Sequence, residues 1–292
     1  MKKRMALLLV LALALLALSG AALADESALP AVGDTVEGFT VKSVSRFELL
    51  GADVVLFEHD KTGAQVMYLA NEDTNRVFEI TFRTPAETEM GVSHVFEHAT
   101  LDGSKKYPSK ELFFNLSYQT YNTYMNAATY SVMTTYPVAS LSEAQLLKYA
   151  DYYTDSCFNP LIAEDPSLFD EECWRYALDS ADGDLTIAGT VYSEMRGAYT
   201  LDSASSFNFL KTLFPGSTIG NCFGGNPAHI PEMSNDDIVA YHEKYYHPSN
   251  SMTCLYGSFE NYTAFLKLLD GYFSQYDKKE IVIEDAGYTP LT

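Results

Sequence analysis

His94 and His98 stand four residues apart, with Glu97 between them, in the run His94-Val95-Phe96-Glu97-His98. On a helix each residue advances the side-chain direction by about 100°. His98 then lies about 40° to one side of His94, and Glu97 about 60° to the other. Two imidazoles and a carboxylate therefore share an arc of about 100° on one helical face. Imidazoles one turn apart can grip a single Zn²⁺, and neutral imidazole is a good zinc ligand. Glu97 would stand beside the open coordination position. There it could take a proton from metal-bound water, whose pKa the metal lowers to about 7. The competing reading is an amphipathic helix with satisfied core histidines, because a short motif needs context.

A catalytic zinc needs a third protein ligand. Glu194 is preferred. It sits among apolar neighbours in Thr190-Val191-Tyr192-Ser193-Glu194-Met195, on a predicted helix where a bare carboxylate would be costly. Glu171 and Glu172 are weaker candidates, since acids near a helix start are ordinary compensation for its dipole. His242 and His247 mimic a second motif, but their i, i+5 spacing turns them about 140° apart. They read as helix-end residues, with His247 near a C-terminus where positive charge is favoured. His59 and His229 fall in predicted loops and receive no role.

The surrounding chain suits a packed protein. Its 292 residues are 47% hydrophobic, with 19 Lys and Arg against 39 Asp and Glu. That excludes a disordered chain, a collagen and a disulfide miniprotein, and allows one large domain or two small ones. The net charge of −20 argues against nucleic acid, which needs clustered cations. An acidic cavity would instead attract cationic peptides. Residues 1–24 have a basic start, an apolar run over 5–18 and Ala22-Leu23-Ala24 before Asp25. This is the layout of a cleaved signal peptide, so a secreted or extracytoplasmic location is expected. The run is shorter than the ~20 residues of a spanning helix, and no later segment supplies one. No stable membrane span is expected after cleavage. Residues 25–35 read as a linker and 36–292 as the working domain. Cys157, Cys173, Cys222 and Cys254 form no C-x-x-C pair, so they read as small buried hydrophobes rather than a thiolate site.

Strands are predicted at 36–45, 52–58, 65–70 and 76–83. A helix is predicted over 87–101, closed by Gly103, and another over 109–117. A strand follows at 126–136, ending at Pro137. Ser140 and Glu143 form a capping-box pattern for a helix to Cys157. Helices are expected over 165–178, 188–200, 234–246 and 260–273, with a Gly/Pro loop over 221–231 and a strand at 251–257. The order gives an α+β domain: a largely antiparallel sheet with helices packed on it, the metal-binding helix among them.

The motif has the H-x-x-E-H order of the inverzincins. It runs on into Ala99-Thr100-Leu101-Asp102-Gly103-Ser104-Lys105-Lys106-Tyr107-Pro108. That block resembles the H-x-x-E-H-x-x-L-x-G-S-x-K-Y-P signature of the insulinase/pitrilysin metallopeptidases. Asn126-Ala127-Ala128-Thr129 with Thr135-Tyr136-Pro137, and Tyr245-Tyr246-His247-Pro248-Ser249-Asn250, are similar to further blocks of the family. Glu172-Cys173-Trp174-Arg175-Tyr176 and Val191-Tyr192-Ser193-Glu194-Met195-Arg196-Gly197 resemble its presequence-protease branch. The resemblance covers most of residues 50–275.

The resemblance implies that His94, His98 and Glu194 hold Zn²⁺ and that Glu97 is the general base. It implies that Asn126 and Ala127 lie on a strand that pairs with an extended peptide substrate, a mode that an open sheet edge also allows. The implied reaction is hydrolysis of unstructured peptides. Members of this branch are several times longer and close two related halves around the peptide. The second half supplies an Arg and a Tyr that have no match here. The chain is thus expected to be the N-terminal metal-binding domain alone, needing a second homologous half or a partner chain. The alternative is a catalytically incomplete peptide-binding or assembly subunit.

Overall fold

The computed structural model describes residues 29–178 and 180–283. The predicted signal peptide lies outside the described residues. Eleven strands occur among those described: β1 (Thr35–Val36), β2 (Phe39–Phe47), β3 (Ala52–His59), β4 (Gln65–Ala70), β5 (Arg76–Arg83), β6 (Asn122–Met125), β7 (Ala128–Thr129), β8 (Met133–Ser140), β9 (Arg175–Ala177), β10 (Thr186–Ala188) and β11 (Ser251–Gly257). The helices are α1 (Val92–Leu101), α2 (Leu112–Gln119), α3 (Glu143–Phe158), α4 (Ser167–Glu172), α5 (Thr190–Ala198), α6 (Leu201–Leu213), α7 (Asn235–Tyr245) and α8 (Thr263–Phe273).

Nine strands form one sheet in the order β1-β2-β3-β4-β11-β5-β8-β6, with β7 also paired to β8. Every pairing is antiparallel except β4 with β11. Alternation explains the sheet's one-sided core: along β5, Phe78, Ile80 and Phe82 are fully buried, while Val77, Glu79 and Thr81 stay half-buried. Helices α3 and α8 cover the buried face with Leu146, Tyr149, Tyr153, Phe265, Leu269 and Phe273. The expected α+β class with a largely antiparallel sheet holds.

Several local expectations are corrected. The helix expected from residue 87 starts at Val92, because Gly91 sits at φ 74° and breaks the turn. The cap of α3 is Ser142, whose side chain accepts from Gln145 N–H, rather than Ser140. Ser140 donates to the Tyr121 carbonyl instead. The helix expected over 165–178 ends at Glu172, and Arg175–Ala177 pairs with Thr186–Ala188. The single strand expected over 126–136 is divided between β7 and β8 by a turn, where Tyr130 N–H bonds the Met133 carbonyl.

Pro137 lies inside β8 rather than at its end, opposite Glu79 of β5. A strand residue points its N–H and C=O toward the same neighbour, so the donor that Pro137 lacks would face the gap between β6 and β7. There the Pro137 carbonyl accepts from Asn126 N–H at 3.2 Å. The Asn126 carbonyl takes the Tyr153 hydroxyl at 2.9 Å in place of the missing N–H. Asn126 and Ala127 thus interrupt the outer edge of the sheet, between its two short strands.

Candidate metal centre

Helix α1 is held by its apolar side. Val95, Phe96 and Ala99 are fully buried. The Phe96 ring stacks on His242 of α7 at 5.1 Å and meets Tyr246 at 4.3 Å. The opposite side carries His94, Glu97 and His98, and it faces α5. Both imidazoles approach the same oxygen: Glu194 Oε2 lies 3.8 Å from His94 Nε2 and 3.5 Å from His98 Nε2. Donor atoms of these three residues all fall within 4.8 Å of one another.

The other ring nitrogens are tied. His94 Nδ1 lies 2.9 Å from the Gly224 carbonyl, which can only accept, so that nitrogen carries the proton. His98 Nδ1 lies 3.1 Å from Glu172 Oε2. Each Nε2 is therefore free to offer a lone pair toward Glu194. Two neutral imidazoles and a carboxylate, oriented from behind by acceptors, are a donor set suited to Zn²⁺. The residues present fit that ion.

Glu172 thus has a different place from the one weighed in the sequence. It stands behind His98, and its second oxygen accepts from the Thr190 hydroxyl at 3.2 Å. Burial opposes the charged form of Glu172, but the His98 hydrogen bond and charge hold its pKa below the usual carboxylate range. Burial, with Glu172's charge, pushes the neighbouring Asp102 carboxyl up to about 8. Burial also opposes charge on His98, yet the Glu172 hydrogen bond and the charges of Glu97, Glu172 and Glu194 raise its pKa.

Glu97 is 8% exposed, and Thr129 donates to its Oε2 at 2.7 Å. Sequence reading gave Thr129 no role of its own; its place on β7, packed on α1, supplies one. Asn126, Ala127 and Thr129 border the same cleft of about 510 Å³ as His94, Glu97, His98 and Glu194. On the other side of Glu97, a pocket is walled by Leu101, Phe113 and Phe114 with Asp102 and Glu172.

His59, His242 and His247 serve the fold. His59 ends β3, is buried, and bonds Thr62 and Asp270 at 2.8 and 3.0 Å. Burial pushes His242 and His247 below the ordinary imidazole value, so His247 does not supply the positive charge expected at its helix end. All four cysteines are free, and three of them are buried.

A profile of the insulinase family (peptidase family M16) matches residues 83–201. The chain is 36% identical over 245 residues to Protein HypA of Clostridium perfringens, covering 84% of this chain and 25% of that protein. It is 39% identical over 204 residues to presequence protease 1, chloroplastic/mitochondrial, of Arabidopsis thaliana, covering 70% and 19%. It is 37% identical over 238 residues to the mitochondrial presequence protease of Drosophila melanogaster, covering 78% and 22%. The chain thus spans about a quarter or less of the length of these curated relatives. In fold it is similar to pitrilysin, with a TM-score of 0.61 at 16% identity over 86% of this chain and 26% of that one. It is also similar to a protease from Helicobacter pylori, with a TM-score of 0.60 at 17% identity over 78% and 52%. The secreted location expected from the N-terminus is corrected here, because relatives whose names carry a location are mitochondrial or chloroplastic. The profile match over residues 83–201 and the presequence protease relatives together show that the chain carries a domain of the insulinase family, peptidase family M16.

Proposed function

We propose that this chain is the metal-binding domain of a zinc-dependent endopeptidase that hydrolyses unstructured peptides. One observation carries the reading: two imidazoles, each fixed through Nδ1, direct Nε2 toward a single carboxylate oxygen, with Glu97 one residue from His98 on the same helix. His94, His98 and Glu194 would hold the ion. A bound zinc would polarise a peptide carbonyl and acidify a water at this site. Glu97 takes the proton of the attacking water and returns it to the leaving amine. Thr129 holds one Glu97 oxygen and leaves the other for that exchange. Asn126 and Ala127 offer the broken sheet edge to an extended peptide backbone. The pocket of Leu101, Phe113 and Phe114 suits an apolar side chain of the peptide.

A second reading rests on Glu194, whose side chain is 51% exposed. A centre this open excludes water poorly, which favours a domain that needs a second half for full turnover. The test is zinc content and cleavage of an unstructured basic peptide, in wild type and in Glu97→Gln. Both proteins should hold one zinc, and only the wild type should cleave. Equal cleavage by the two removes Glu97 from the reaction, and a wild type without zinc removes the metal centre. Zinc and peptide binding without turnover would favour the incomplete domain.

A further inference from the structure

The Gly/Pro loop over 221–231 supplies the Gly224 carbonyl to His94, and it also touches both ligand-bearing helices. Its turn is closed by Gly225 N–H on the Cys222 carbonyl at 3.0 Å. One side grips the strap that leads into α1. Asn221 Nδ2 donates to the Ala86 carbonyl at 2.7 Å, and Asn226 N–H to the Glu89 carbonyl at 2.8 Å. The other side meets the end of α5, where Asn226 Nδ2 donates to the Tyr199 hydroxyl at 3.2 Å. Between them the Gly224 carbonyl accepts from His94 Nδ1.

A side chain at Gly91 would meet backbone, and one at Gly224 would have to displace the Met195 thioether. A Cβ on Gly91 would lie 2.5 Å from the Gly225 Cα, a backbone atom that cannot yield. A Cβ on Gly224 would lie 2.8 Å from Met195 Sδ and 2.9 Å from Met195 Cε. Met195 follows the ligand Glu194 directly. Gly224 does not need a left-handed backbone, since its φ lies outside that region; a side chain there would push the Met195 thioether aside. One turn therefore sets the tautomer of His94 and packs against the helix that carries Glu194.

We propose that the turn Asn221–Asn226 is the positioning device of the metal centre, with Gly224 as its key residue. Gly224 holds the proton of His94 on Nδ1 so that Nε2 faces Glu194. It also sets how closely α5 approaches α1. The proposal rests on the zinc reading, and its test separates the two.

The experiment compares zinc affinity, by chelator competition, in the wild type, Gly224→Ala, Met195→Ala and the double variant. Imidazole ¹⁵N spectra of the zinc-free proteins report which nitrogen of His94 carries the proton. Gly224→Ala keeps the carbonyl and displaces only the Met195 thioether, so it should weaken zinc by a few fold, below the about 10- to 100-fold range for outright loss of an orienting partner. It should also deplete the Nδ1–H form of His94. The double variant should recover most of both, because Met195→Ala removes the atoms that the new Cβ meets. A fold defect alone would not shift the tautomer and then restore it. Unchanged zinc affinity in Gly224→Ala overturns the proposal. If Gly224→Ala fails to fold, the wild-type spectrum decides: a His94 proton on Nδ1 supports the device, and one on Nε2 overturns it. A wild type that binds no zinc overturns the metal centre itself, a separate outcome.

Discussion

Glu172 accepts from His98 Nδ1 at 3.1 Å, so a carboxylate on α4 fixes the plane of an imidazole on α1. The pair is part of a chain, with the Thr190 hydroxyl donating to Glu172 in turn. Such partners keep a ligand's tautomer and raise its basicity. Glu172→Ala should weaken zinc by about 10- to 100-fold while leaving all three ligands in place. Chelator competition measures this. Wild-type affinity in the variant would show that His98 is oriented by its packing alone.

Thr129 makes a separable contribution. Its hydroxyl bonds Glu97, which is not among the three grouped donors. Thr129→Val keeps the shape and removes the donor. A hydrogen bond to a charged group contributes about 1.5–3 kcal/mol, so kcat should fall by about 10- to 100-fold with little change in KM. Zinc content should stay at the wild-type level, and Thr129→Ser should restore turnover. A loss of zinc in Thr129→Val would mean that the hydroxyl supports the helix rather than the base.

The parts of this protein that obey a local period were legible in its sequence. Residues 65–70, 76–83 and 251–257 alternate, and β4, β5 and β11 occupy those bounds. The three grouped donors follow from helical spacing and from an acid set among apolar neighbours. What escaped depends on contacts between distant segments. Residues 201–213 form α6 without a fully buried residue, so their apolar positions give only a weak periodic signal. Pro137 reads as a strand end because its exception is made by Asn126 and Tyr153, far away in sequence. Glu172 and Gly224 act through an oxygen each, and no residue pattern announces an acceptor.

Tyr153 offers a test of that exception. Its hydroxyl is the donor that Pro137 cannot provide to the Asn126 carbonyl. Tyr153→Phe keeps the ring in the core and removes one hydrogen bond, for a cost of about 1 kcal/mol. Chemical denaturation measures that loss. The freed carbonyl also loosens the broken sheet edge at Asn126, so KM for a long peptide should rise while zinc affinity stays fixed. An unchanged KM would mean that peptide does not use this edge.

His242 contributes to the acid side of stability. It is packed on Phe96, and Nε2 donates to the Cys157 carbonyl at 3.0 Å. Burial lowers its pKa below the ordinary value, outweighing the Cys157 bond and the Glu243 charge. The unfolded chain therefore takes up a proton near pH 6.5, where the folded chain does not. Stability linked to His242 is fully present above that pH and is lost as pH falls below it. The slope reaches at most about 1.4 kcal/mol per pH unit for one proton. Burial also lowers the pKa of His247, which adds to the slope with the same sign. His242→Gln keeps a side-chain donor and cannot titrate. Its stability should start lower than the wild type's at pH 7.5, because the stacking on Phe96 is lost, and decline less steeply toward pH 5. Parallel pH profiles for the two proteins, read by denaturant midpoint, would remove His242 from the acid transition.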